Sequence, residues 1–424
     1  MASTYLTRTF GSAGNRQSWT WSAWIKKTKV YNSTDTGDRV VWFGGYTASN
    51  NTDWLEFGTQ GDAFYFTTSA TTSSGNRLMR DPNGWFHAVV TYDGSNLKFY
   101  HNNELDFNNT QLGGNRGINV AGVHTIGAVA TNQGSRRFDG LMSHVHFVDG
   151  AVLAPTVFGE TDSTTGEWKI IPEPTVSSYG TNGFFILKDG NSVTDQSPNS
   201  NNFTANGTLT KTEDCPSNVF CTINPLVNID GSYSLSNGNT KFTPTGNNDG
   251  TFGTLAAIGG KFYYEVKYAA QVDTIFAGYG PVKLTNNLGT SNPISSMIGQ
   301  YRNQGLLQIG GSVDTAYTNV TAGDIFAFAI DLEASSGSRT VKAYKNGSLY
   351  GTVTIGTAYE NDMWIPVCGD TAGANAGRLE FNFGNGYFGS TAVSSAGTNA
   401  SGNGIFEYDV PTGYTALSTK GLNL

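Results

Sequence analysis

Two acids on alternate positions, Glu104 and Asp106, are the first residues of this sequence that could do chemistry. Hydrolysis of a glycosidic bond needs two positioned carboxyl groups. The run Glu104-Leu105-Asp106-Phe107-Asn108-Asn109 begins such a set, but the place where a third acid would converge is Asn109. Glu104 also follows the Asn102-Asn103 pair directly, which puts it at a hairpin tip and away from a cleft. The expectation is a protein without enzymatic activity.

Metal chemistry is thinly represented. His144-Val145-His146 alternates so that both rings share one strand face, either as two metal ligands or as packed histidines, and no third ligand is visible. Asp35-Thr36-Gly37-Asp38 and Asn247-Asn248-Asp249-Gly250 are oxygen-rich loops, with Asp35 and Asp38 as the candidate Ca²⁺ ligands. Neither supplies the six or more oxygens the ion takes, and Asx-rich turns account for the same residues. Cys215, Cys221 and Cys368 cannot all pair internally; Cys215 and Cys221 are close enough for a disulfide or half a metal site, but they match no C-x-x-C motif, and without an export signal buried free thiols are expected. Ser-His-Asp, phosphate-loop and dinucleotide motifs are absent.

Binding remains. Tyr46, Asn50, Asn51 and Trp54 fall in a polar stretch between two strands. A ring can cover the apolar face of a sugar while amides take its hydroxyls, although Trp54 packed inward as a strand residue is the plainer alternative. Lys283, Asn286 and Asn287 lie in a second polar loop, Pro281–Leu288, suited either to partner recognition or to packing on a neighbouring subunit.

The elements that must carry these residues are strands. Gly84-Trp85-Phe86-His87-Ala88-Val89-Val90-Thr91-Tyr92, a polar turn and Leu97–Leu105 form one two-strand unit. Gly323-Asp324-Ile325-Phe326-Ala327-Phe328-Ala329-Ile330-Asp331, a looser turn and Val341–Leu349 repeat it with different residues. Each closes on Asn-Asn or Asn-Gly, which reach the positive φ of a two-residue hairpin turn cheaply. The composition agrees: 54 glycines, 12% aromatic and only 14% charged residues describe a turn-dense all-β chain with enough rings for a core. The expected fold is all-β, two tandem antiparallel β-sandwiches at 1–158 and 216–424, joined by an irregular connector at 159–215 whose strand Gly183–Leu187 packs on the first sandwich. Trp24, Phe86, Val90, Phe262, Tyr264, Phe328 and Phe381 are the expected core.

A net charge of −8 without a Lys/Arg stripe argues against nucleic acid. No apolar run approaches the length needed to cross a bilayer, and Met1–Arg8 has no charged-then-apolar leader. A soluble protein made in a host cytoplasm, without membrane insertion, is expected.

Trp21-Ser22-Ala23-Trp24-Ile25, Gly84–Asp93, the Tyr100–Leu105 hairpin, Ile126-Gly127 and Phe138–Met142 make residues 1–158 resemble the laminin G-like, concanavalin A-like jelly-roll family. Gly260–Val266, Asp324–Asp331, Tyr344–Gly347, Trp364–Val367, Phe381–Gly384 and Pro411–Leu417 are similar to a SPRY-type sandwich. The joint, including Gly166-Glu167-Trp168, Asp195-Gln196-Ser197-Pro198-Asn199-Ser200-Asn201-Asn202-Phe203 and Ile223–Leu226, resembles structural proteins of tailed, especially aquatic, bacteriophages. The resemblance implies a lectin-like virion protein, as a capsid or tail appendage, that contacts a host cell-surface glycan or protein. A purely structural decoration and a glycan depolymerase are the alternatives. It further implies homo-oligomers docked on other virion proteins, and the polar Met1–Phe10 lead suggests the N-terminal sandwich as the anchor.

Overall fold

The computed structural model describes residues 4–31, 38–47, 53–110, 117–188, 192–229, 232–246, 248–270, 274–288, 296–301, 305–309, 311–312, 320–371 and 377–423. Strands make up 47% and helical turns 4% of the chain, so the all-β expectation holds. The chain divides into two compact units, Met1–Lys211 with Cys215–Ser217, and Thr212–Asp214 with Asn218–Leu424.

The first unit begins with β1 (Tyr5–Phe10), β2 (Trp19–Lys27), β3 (Arg39–Tyr46), β4 (Trp54–Gln60), β5 (Ala63–Thr68) and β6 (Thr72–Leu78). It continues with β7 (Trp85–Tyr92), β8 (Leu97–His101), β9 (Glu104–Asn109), β10 (Gly122–Ile126) and β11 (Gly140–Asp149). Four short strands follow: β12 (Gly159–Thr161), β13 (Trp168–Ile170), β14 (Phe184–Ile186) and β15 (Thr204–Asn206). A seven-stranded sheet runs β15-β1-β10-β3-β4-β5-β6 and a six-stranded sheet runs β14-β11-β2-β7-β8-β9. Their inner faces meet in a core of Trp19, Trp21, Trp42, Phe43, Phe57, Phe64, Phe86, Val90, Phe99 and Phe147. The polar lead expected to reach a neighbour is β1 from residue 5 onward, paired on both sides by β10 and β15.

All nine residues of β2 are buried, so it does not alternate as a half-solvated strand would. Trp24 is buried as expected, but on the outer face, where it stacks on His87 at 5.1 Å between ring centroids. The cover is the segment after β11, whose Phe158, Tyr179 and Phe185 pack on Val148, and whose Trp168 ring lies 6.1 Å from His87. Residues 159–211 of the connector thus belong to the first unit while Thr212–Asp214 belong to the second, and β14 and β15 each extend the edge of a sheet.

The run Asp195–Phe203 has no strand periodicity because its side chains bond to backbone. Asp195 Oδ1 accepts from the amides of Phe185 (2.8 Å) and Ser197 (2.9 Å). Its Oδ2 accepts from Ser197 Oγ (2.8 Å) and the Asn201 amide (2.7 Å). Asn199 and Asn201 donate their Nδ2 groups to the Gly183 carbonyl at 2.9 and 2.8 Å. These Asx-type turns fasten β14 to the sheet edge.

The second unit has an eight-stranded and a six-stranded sheet. The former contains β16 (Tyr233–Ser236), β17 (Lys241–Pro244), β19 (Lys261–Ala270), β24 (Ile325–Asp331), β25 (Thr340–Lys345), β26 (Ser348–Thr354), β28 (Arg378–Asn382) and, in parallel with β19, β31 (Thr415–Ala416). The latter contains β18 (Asp249–Phe252), β20 (Ile275–Pro281), β21 (Ile298–Tyr301), β22 (Leu306–Gln308), β23 (Gly311–Ser312) and β27 (Trp364–Asp370). β29 (Tyr387–Phe388) and β30 (Thr391–Ala392) form a separate ribbon. Phe262, Tyr264, Phe328 and Phe381 are all in the core between the sheets.

The two-strand repeat is also a structural repeat. Asn102 and Asn103 have φ of 47° and 70°, and Asn346 and Gly347 have 49° and 81°. Asn102 Oδ1 accepts from the His87 amide at 2.7 Å while the Asn102 amide donates to the His87 carbonyl at 2.9 Å. Asn346 makes the same reciprocal pair with Ile325, at 2.9 and 2.8 Å. Both hairpins then shift register just before a tyrosine, between Phe99 and Tyr100 and between Ala343 and Tyr344.

Replacing Asp195 by Ala is expected to destabilise the first unit by about 2–4 kcal/mol, because buried donors left unpaired cost about 1–3 kcal/mol each. Denaturant unfolding followed by tryptophan fluorescence reads this unit, since every tryptophan but Trp364 lies in it. A loss below 1 kcal/mol would contradict the clamp.

Candidate ligand-binding site

The β3–β4 hairpin sets the geometry of the site. Leu55 and Phe57 are core residues, so strand alternation turns Trp54 and Glu56 to the outer face of the seven-stranded sheet. Tyr46 is the register partner of Trp54, at the ends of β3 and β4, so both are strand residues and not members of an irregular loop. The next pair outward is bonded, Thr47 N–H to the Asp53 carbonyl at 3.3 Å, which makes Tyr46–Trp54 a non-hydrogen-bonded pair, the kind whose side chains come closest. Both rings are half-buried, so neither packs fully inward. Arg16 holds the neighbouring Asp53 with 2.8 Å contacts to both carboxylate oxygens. Asn50 and Asn51 lie outside the described residues.

Further along the same face, the chain between β10 and β11 lies down on the sheet. The Ala130 amide donates to Glu56 Oε1 at 3.2 Å, Arg136 approaches Oε2 at 3.6 Å, and Arg39 stands over the Tyr65 ring at 5.4 Å. A Cβ on Gly44 would sit 3.6 Å from that of Ala130, so this segment walls the outer face beside Tyr46. Burial pushes Glu56 up to about 7, against the opposing pull of Arg136, and raises Tyr65 as well.

The other candidates are engaged elsewhere. Glu104 sits directly after the turn and pairs with Arg77, whose amide donates to Asp106 Oδ1 at 3.0 Å and whose guanidinium donates to His101 Nδ1 at 3.3 Å. Glu104 therefore faces a cation on β6, and Asp106 the backbone of the same residue. Asp35 lies outside the described residues; the Asp38 carbonyl accepts from the Gly61 amide at 3.2 Å. Nearby Asp62 is neutralised by Lys27 at 2.7 Å and Arg80 at 3.1 Å. No group of three or more His, Cys, Asp or Glu side chains suited to a metal occurs among the described residues. His144 has a φ of 50° at a bulge in β11, and Nδ1 of buried His146 lies within hydrogen-bond distance of the Tyr179 hydroxyl, at 2.9 Å.

One juxtaposition was invisible in the sequence. Ser22 Oγ lies 2.8 Å from His87 Nε2, while Trp168 Nε1 donates to His87 Nδ1 at 3.2 Å. Indole N–H can only donate, so Nδ1 is the acceptor and Nε2 carries the proton. Burial holds His87 at about 3, hence neutral. The imidazole thus donates to Ser22, the reverse of what activates a serine nucleophile.

In the second unit, Lys283 and Asn286 lie on a 3-10 turn, Val282–Asn287, which Asn287 ends. Lys283 is bound within its own unit, to Asp362 at 2.8 Å and over the Tyr359 ring at 4.8 Å. Asn286 is exposed. Asp249 is buried and accepts amides of Ser232, Thr245 and Gly246, an Asx-turn arrangement. Cys215, Cys221 and Cys368 are free thiols, the last two buried. Buried Glu265, on β19, accepts from Tyr263 Oη, Asn382 Nδ2 and the amides of Glu407 and Tyr408.

Residues 2–158 match the family model of the concanavalin A-like lectin/glucanases superfamily, laminin G type. No curated protein matches the chain. Among solved structures, the SPRY domain of human HERC1 is similar at 14% identity, covering 38% of this chain and 96% of that one, with a TM-score of 0.30. The PSpry domain of TRIM65 is similar at 14% identity, covering 38% and 91%, with a TM-score of 0.29. The heptameric SAP-like pentraxin of Limulus polyphemus is similar at 14% identity, covering 35% and 71%, with a TM-score of 0.29.

Glu56 gives a pH prediction. Its carboxyl is raised from 4.5 to about 7 in the fold, so between those values the folded state keeps a proton that the unfolded chain has lost. Stability from this group is full below pH 4.5 and falls as pH rises towards 7, by up to roughly 3 kcal/mol at 1.36 kcal/mol per pKa unit. Denaturant unfolding across this range should show the decline in the wild type and a flatter profile in Glu56→Gln. Parallel profiles would refute it.

Proposed function

We propose that the protein is a non-enzymatic glycan-binding protein whose ligand rests on Tyr46 and Trp54. The observation that carries the reading is that in-register ring pair, half-buried on the outer face of a concanavalin A-like sandwich. A phenol and an indole side by side offer an apolar platform with polar edges, as the face and hydroxyls of a sugar require. The absence of catalysis is supported by the ion pairing of Glu104 with Arg77 and by the proton polarity at Ser22 and His87.

The finer reading places the protein on the virion of a tailed bacteriophage, as a capsid or tail appendage that contacts the host surface, in several copies and docked on other virion proteins. It is supported by the resemblance of the joint motifs, above all Asp195–Phe203. Fold alone does not carry it.

Retention on host-surface polysaccharide should fall at least about tenfold in Trp54→Ala and in Tyr46→Ala, about 1.4 kcal/mol per ring lost, with thermal melting preserved. Trp54→Phe should keep part of it. Unchanged retention in both Ala variants would sink the site, release of soluble oligosaccharide would make the protein a depolymerase, and failure of immunogold to label particles would remove the virion assignment.

A further inference from the structure

The register of the seven-stranded sheet continues the aromatic pair into a row. Thr9 of β1 faces Val123 of β10, Val123 faces Tyr46 of β3, and Tyr46 faces Trp54 of β4. Directly opposed residues share a face, and the flanking Phe10 and Leu55 point into the core, so all four side chains belong to the outer face. Thr9 is exposed, and Val123, Tyr46 and Trp54 are half-buried. With strands about 4.8 Å apart, the row spans about 14 Å at right angles to them.

The charge of the row selects its occupant. None of the four is an acidic or basic residue; Asp53, next to Trp54, is held by Arg16 through both carboxylate oxygens, and Glu56, two residues along the same face, is met by the Ala130 amide and Arg136. A charged polymer would have no counter-charge to meet here, whereas an uncharged one loses nothing. On the side of Gly44 and Glu56 the row is bounded by the chain around Ala130, so a ligand must run along the row and not across it. The spacing between strands is close to the length of one pyranose unit in an extended chain.

We infer that the row Thr9–Val123–Tyr46–Trp54 is an extended subsite for a linear, uncharged oligosaccharide of about three sugar units, lying across β1, β10, β3 and β4. This rests on the glycan reading above and adds the length, shape and charge of the ligand. Trp54 and Tyr46 stack two sugars, while Val123 and Thr9 carry the continuation of the chain.

The test is calorimetric titration of the full chain with neutral gluco-, manno-, xylo- and chito-oligosaccharides, from disaccharides to hexasaccharides. Affinity for the recognised series should rise about tenfold or more from disaccharide to tetrasaccharide and then level off. Thr9→Glu and Val123→Glu should abolish that rise while leaving disaccharide binding intact, and Thr9→Ala serves where Val123→Glu lowers the melting temperature. Tyr46→Ala should lose binding at every length. Equal affinity for disaccharide and tetrasaccharide, or length dependence that survives both Glu variants, overturns the extended subsite and leaves the ring pair standing. No binding by any series overturns both.

Discussion

The first unit hangs on one buried carboxylate. Asp149, the last residue of β11, takes four hydrogen bonds: from the Asn15 amide (2.7 Å) and Asn119 Nδ2 (2.6 Å) on Oδ1, and from the amides of Thr181 and Asn182 (both 3.1 Å) on Oδ2. Neutral donors from three separate segments meet the charge, which is what makes its burial tolerable. Asn119 and Asn182 join each other at 2.7 Å, and Gly14 passes so close that a Cβ there would lie 2.3 Å from Asp149 Oδ2. The consequence reaches the outer face that carries Tyr46. Asn119 donates its amide to His124 Nε2 at 3.0 Å, fixing the start of β10 and hence Val123 beside Tyr46.

How far the sequence announced this varies with the range of the interaction. The paired hairpins were legible because turn chemistry is local: Asn102 and Asn346 need positive φ, and the residues that supply it are few. What Asn102 and Asn346 also do, accepting the amides of His87 in β7 and Ile325 at the start of β24, follows from the turn but is not written in its composition. Trp24 was legible as buried and not as outward-facing, because alternation carries no information in a strand covered on both sides. The cover itself has the sequence of a connector, since Asp195, Asn199 and Asn201 satisfy backbone groups through side chains and leave no periodicity to detect.

The site residues divide in the same way. Tyr46 and Trp54 could be picked out by type, but their facing register depends on the length of the turn between them. Glu104 and Asp106 could be picked out by spacing, yet Arg77, which pairs its guanidinium with Glu104 and donates its amide to Asp106, comes from β6 in the other sheet. The Ser22–His87–Trp168 contact joins residues far apart in sequence, and its meaning turns on which nitrogen bears the proton, a property of the assembled environment.

The contrast between β2 and the outer row has an evolutionary consequence. Each side chain of β2 must satisfy a packed layer, whichever way it points, so substitutions there are penalised from both directions. Thr9, Val123, Tyr46 and Trp54 are held by backbone pairing and project away from the core. Their identities can drift without disturbing the scaffold beneath, and a lineage built on this sandwich can change the chemistry of its outer face through a handful of mutations while its architecture stays fixed.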